Sequence, residues 1–158
     1  DGSVAQAAST GATPGALGIA GVFVGCKYLS VAQKRTVWSN YWPGSDVASG
    51  NFVEGYIVND PNAKFLAQSD ATGINFPLDI NATIGFAIGT GNTANGISGA
   101  YLDSTTINTS SYQTAAPFKV VAVYNFPPGS QGTYSNGQAY DYAVVMFNNV
   151  VTRNLQGV

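Results

Sequence analysis

Two apolar runs constrain this chain more than anything else in it: FKVVAVYNF at residues 118–126 and YDYAVVMFN at residues 140–148. Both are crowded with β-branched and aromatic side chains, which suit a pleated, half-buried surface and lose rotamer freedom in a helix. The turn-rich stretch PPGSQGTYSNGQA separates them, so the two are expected to form a central antiparallel pair. Nowhere does the chain sustain apolar residues at the i, i+3, i+4, i+7 spacing of an amphipathic helix.

Shorter runs of the same kind precede them. Residues 19–28, IAGVFVGCKY, read as a strand, and residues 29–34 carry the chain round into a second one over 35–41. Residues 50–59, GNFVEGYIVN, read as another strand, closed by the turn Asn59, Asp60, Pro61, Asn62, with residues 64–68 expected as its hairpin partner. In residues 79–88, DINATIGFAI, apolar side chains are dense enough for a short helical turn or a strand, and period alone does not separate the two. Residues 89–111, with closely spaced Gly and Asn, read as a compact ordered loop, and the small polar residues 1–18 as an irregular N-terminal arm. Seven or eight short strands then fall within one domain, residues 19–158. The expected architecture is all-β, an antiparallel sandwich or partly closed barrel with long Gly/Asn/Ser-rich loops.

A chain of 158 residues buries roughly 70% of its unfolded surface without disulfides or metals. Its surface must be unusual, because charged residues are only 9% of the chain against roughly 25% in typical soluble domains. Such a surface suits a subunit covered by neighbours. The net charge is -2 and the pI about 4.6, so no basic field gathers phosphates and no nucleic-acid partner is expected. No apolar run reaches the roughly 18 residues that cross a bilayer, and no membrane partner is expected. Since Asp1 is not an initiator methionine, processing or further upstream sequence is expected.

Histidine is absent and Cys26 is the single cysteine, which removes Ser-His and Cys-His nucleophile pairs and multi-cysteine zinc sites. Cys26, within GIAGVFVGCKY, reads as a small buried hydrophobe. A glycosidase would need two of the eight carboxylates to meet across a cleft. Most of them stand instead in turns such as NDPN, SDAT and LDST, where an Asp side chain caps nearby backbone. The loops around Asp60 and Asp103 lack the alternating acids of a calcium loop. GTGNTANG, from Gly89, lacks the lysine and following helix of a phosphate loop. Neither an enzyme, a metal nor a cofactor is expected.

The aromatic residues carry the functional signal. RTVWSNYWPGSD, residues 35–46, holds both tryptophans, Trp38 and Trp42, with Tyr41 between them and Pro43 opening a turn. Trp and Tyr serve where one end of a ring is covered and the other stays wet. The segment is expected to be a strand ending in a rigid turn, with Trp38, Tyr41, Trp42 and Pro43 as candidate partner-binding residues. The alternative is that Trp38 and Trp42 plug the bottom of a β core.

GVFVGCKY, WSNYWPGSD, GYIVNDPNAKFLAQSD, GTGNTANGISGAYLDSTTINT, FKVVAVYNFPP and VVMFNN occur in that order. In combination they resemble a family of small head proteins of tailed bacteriophages, the capsid decoration or cement proteins, over residues 19–149. That resemblance implies a β-rich accessory subunit that binds the outer surface of the virion's shell of major capsid protein and reinforces it, with no catalytic residues. The charge-poor, tyrosine-rich surface adds an expectation of closed homo-oligomers, a trimer ahead of a dimer on threefold shell positions. A carbohydrate- or receptor-binding module of a phage tail or fibre, stacking Trp38, Tyr41 and Trp42 on sugar rings, is the competing expectation.

Overall fold

The computed structural model describes residues 5–6, 19–75, 78–92, 94–107, 116–124 and 139–150. Eight strands follow one another: β1 (Val22–Leu29), β2 (Thr36–Ser39), β3 (Glu54–Val58), β4 (Lys64–Gln68), β5 (Thr83–Ile88), β6 (Ala100–Asp103), β7 (Phe118–Tyr124) and β8 (Tyr142–Phe147). The protein is all-β, with two antiparallel sheets and no α-helix among the described residues. One sheet has three strands in the order β2-β1-β3, and the other has five in the order β4-β8-β7-β5-β6 and curls into a half-barrel.

The core lies inside the half-barrel. On β8 the buried residues Ala143, Val145 and Phe147 alternate with partly exposed ones, the period-two pattern of a strand with one face inward. They meet Phe118 and Val120 of β7, Ile84 of β5 and Leu102 of β6, with Ile74 and Val150 closing the cluster. Phenylalanines fill its centre. Phe118 stacks on Phe147 at 5.7 Å between centroids, and Phe65 meets Phe147 edge-on at 5.0 Å, offset arrangements that favour ring pairs beyond the area they bury. Ile19, bridged to Val150, and Val22 join this core from the start of the three-stranded sheet.

The half-barrel is latched at one point. Four successive antiparallel pairings leave its edge strands β4 and β6 parallel to each other, and a parallel bridge joins Ser69 to Leu102. Beside that bridge the Asp70 N–H donates to the Leu102 carbonyl at 3.0 Å. The Asp70 carboxylate accepts the Ser104 N–H at 2.9 Å and the Ser104 hydroxyl at 2.7 Å. The same carboxylate caps its own turn, taking the N–H groups of Thr72 at 2.9 Å and Gly73 at 3.2 Å.

The expected central pair is present as β7 and β8, which fall within the two apolar runs and are flanked by β5 and β4. Residues 79–88 resolve into a turn followed by β5. Two expectations fail. β3 and β4 are not hairpin partners: Asp60 organises a turn there, accepting the Asn62 N–H at 2.9 Å, but the chain uses it to pass between sheets. β3 pairs with β1 and β4 with β8, because Phe65 and Ala67 turn inward onto the phenylalanine core. The second concerns residues 89–111, which are more than a loop. They contain β6, whose buried Leu102 faces the core, and a 3₁₀ turn, Ser104–Thr106, capped by Asp103. Residues 1–18, expected as an arm, lie almost wholly outside the described residues.

Candidate interaction site

The three-stranded sheet has one face turned inward and one turned out. Inward, Cys26, Tyr28 and Ser39 are buried beneath the segment that follows β2. Cys26 donates its thiol hydrogen to the Tyr41 carbonyl at 3.3 Å, and the Ala48 N–H donates to the Leu29 carbonyl at 2.9 Å. Asp46 fastens the same layer, accepting from the Ser30 hydroxyl at 2.7 Å, the Ala32 N–H at 2.9 Å and, at 3.5 Å, the Tyr28 hydroxyl. The Ala32 N–H, then the Ser30 hydroxyl, hold the Asp46 carboxyl below the ordinary carboxylate range. Burial, then the Asp46 charge, push the Tyr28 phenol up. Burial likewise raises the Cys26 thiol.

The outer face is an aromatic platform. Cross-strand partners share a face, and the register sets Lys27 of β1 between Trp38 of β2 and Glu54 of β3, with Gly25 opposite Tyr56 one step along. Gly25 makes the platform possible. It sits at a β-bulge with φ +151, and a Cβ there would come within 2.5 Å of the Trp38 ring and 2.9 Å of the Ser39 carbonyl oxygen. With no side chain in the way, the indole from β2 lies across β1 and reaches the Tyr56 ring of β3, 4.9 Å away and tilted by 49°. Tyr56 in turn donates its hydroxyl to Glu54 at 2.8 Å, which raises the phenol above its ordinary value.

Trp38 is 57% exposed, so it plugs no core, and Trp42 is equally exposed. Tyr41 is 40% exposed and Pro43 is half-buried. The strand ends at Ser39, before Tyr41 and Trp42, which lie on the segment leading to Pro43, where the Asp46 N–H closes a turn on the Pro43 carbonyl at 3.1 Å. The four candidate residues are therefore split: Trp38 belongs to the platform, and Tyr41, Trp42 and Pro43 to the loop below it. Gly25, Lys27, Glu54 and Tyr56 were not among the candidates. A signal for them exists in the sequence, since a glycine inside a strand often marks a place where another group approaches the backbone closely.

Asp60, Asp70, Asp79 and Asp103 each accept at least one main-chain N–H. Among the described residues no three of His, Cys, Asp and Glu gather into a group that could hold a metal ion, and no helix is long and apolar enough to cross a membrane. Comparison with known proteins gives no match to a family model, a curated protein or a solved structure.

Proposed function

We propose that the protein is a structural virion subunit, a decoration or cement protein that binds major capsid protein on the outer surface of a tailed-phage head. The observation that carries this proposal is the exposure of large aromatic side chains, Trp38 on the platform and Tyr41 and Trp42 on the loop, on a chain with 9% charged residues. Buried Trp and Tyr are the side chains that most often anchor protein interfaces, and a surface with little charge is poorly defended against association unless a partner covers it. The resemblance in residues 19–149 supplies the identity of that partner. A sugar floor of Trp38, Tyr41 and Trp42 would need the three rings on one face, whereas Trp38 stands on the outer face of the sheet and Tyr41 and Trp42 on the loop that follows β2, so the glycan-binding alternative has the weaker geometric support.

Co-sedimentation with empty heads built from the cognate major capsid protein tests the proposal. Saturable, stoichiometric pelleting is expected, and Trp42→Ala should weaken it by about 2 kcal/mol or more with the melting temperature nearly unchanged. Failure to pellet with heads, or retention on immobilised glycans instead, would refute it.

A further inference from the structure

The outer face of the three-stranded sheet is complementary to itself. Two pairs straddle the line between β1 and β3. One is the charge pair, Lys27 on β1 level with Glu54 on β3. The other is aromatic: the Trp38 indole lies above Gly25 on β1, level with Tyr56 on β3. A rotation by 180° about an axis along that line sets β1 of one copy over β3 of the next. Lys27 then faces Glu54 of the second copy, the indole faces its Tyr56, and both contacts occur twice because a two-fold interface is isologous. No axis placed over β1 itself does this, since it would set Lys27 on Lys27.

We infer that two copies of this chain dimerise face to face through this sheet, with Lys27, Trp38, Glu54 and Tyr56 as the contact residues. The occupant is a second copy because the charges select it. The strand residues of this face carry one cation and one anion at the same level, and the symmetry of a dimer brings each to its opposite. Aligned packing of two sheets about 10 Å apart accommodates the intervening rings. The Tyr56 hydroxyl, bonded to Glu54, holds that carboxylate in place for its partner.

The interface is small. Strands of eight, four and five residues at about 3.3 Å per residue and about 4.8 Å between strands give on the order of 300 Å² per copy, well under half the roughly 800 Å² of a standard interface. Dimerisation in free solution therefore belongs to the weak class, and it strengthens wherever copies are concentrated on a common surface. It leaves Tyr41, Trp42 and Pro43, on the loop at the sheet's opposite side, for another partner, and it stands whether or not that partner is a capsid shell.

Sedimentation equilibrium of the whole chain, up to about 1 mM to reach the weak class, tests this. A monomer–dimer equilibrium is expected. Lys27→Glu and Glu54→Lys should each raise the dissociation constant at least tenfold, by placing like charges in contact twice, and the double variant carrying both should restore it to within about threefold. Trp38→Ala should weaken the dimer at least tenfold while near-ultraviolet circular dichroism and melting show an intact fold, which keeps the test decisive if a charge reversal fails to fold. A monomer at the highest concentration, a trimer, single reversals without effect, or a double variant that melts like wild type yet does not reassociate would each overturn the inference.

Discussion

Asp70→Ala should open the half-barrel at its seam. The carboxylate accepts four hydrogen bonds: Thr72 N–H, Gly73 N–H, Ser104 N–H and the Ser104 hydroxyl. The bond to Thr72 is exposed, so water can replace it at little cost, and the one to Gly73 is partly so. The two to Ser104 are partly buried and bridge strands 34 residues apart in the chain. Bonds to a charged acceptor contribute about 1.5–3 kcal/mol each when made, and a buried donor left without a partner costs about 1–3 kcal/mol. Discounting for partial exposure, the loss is about 2–4 kcal/mol. In a chain of 158 residues that lowers the melting temperature by roughly 5–15 °C, at about 2–4 °C per kcal/mol. Urea denaturation followed by circular dichroism measures it. Asp70→Asn should cost nearly as much, because one oxygen becomes an NH₂ group set against a donor. A loss below about 0.5 kcal/mol for Asp70→Ala would show that the Ser69–Leu102 bridge closes the seam unaided and that the carboxylate is no latch.

Three further outcomes are expected. Gly25→Ala should cost about 1–3 kcal/mol and shift the tryptophan emission, since its methyl group would displace the Trp38 ring; unchanged emission and stability would mean that the indole does not lie over Gly25. Stability should fall at both ends of the pH scale. The Asp46 pKa is lowered in the fold, so its contribution is present above the ordinary carboxylate range and is lost as pH falls through the folded value; the Tyr28 pKa is raised, so its contribution is full below about pH 10 and is lost as pH rises through the folded value. Asp46→Asn should flatten the acid limb and weaken the alkaline one, which denaturant titrations across pH 2–11 would reveal. Cys26, buried and with its thiol raised, should react with a thiol reagent only after unfolding, and rapid labelling of the native protein would contradict the covered inner face.

How much of this was legible in the sequence depends on whether the signal was local. β7 and β8 could be read because each strand carries its own alternation, and Ala143, Val145 and Phe147 name the buried face by spacing alone. The turn at Asp60 was equally local. Its destination was not: the same turn chemistry serves a hairpin and a passage between sheets, and the choice was made by Phe65 meeting Phe147, 82 positions away (147 minus 65). β6 hid among glycines and asparagines because it is four residues long and only Leu102 marks its core face. At the site, exposure of Trp38 followed from no feature of its own strand. Alternation placed Trp38 and Ser39 on opposite faces, and it was Cys26, Tyr28 and the returning Asp46 segment that made the Ser39 face the inner one.

The aromatic residues of the half-barrel core and of the candidate site sort by chemistry, with the buried Tyr28 and the exposed Phe23 and Phe52 outside that pattern. The half-barrel core uses Phe65, Phe86, Phe118 and Phe147, rings with no polar atom to satisfy. Trp38, Tyr41, Trp42 and Tyr56 stand outside, where an indole N–H or phenol can still meet water or a partner. Carboxylates follow the opposite course: Asp46, Asp60, Asp70, Asp79 and Asp103 turn to backbone N–H groups, so a chain already poor in charge commits much of its anionic chemistry to turns and to the seam. What remains for recognition is ring surface and a few isolated charges. Lys27 and Glu54 then matter out of proportion to their number, because on a nearly neutral face a single opposed pair is enough to select one orientation of a partner over its inverse.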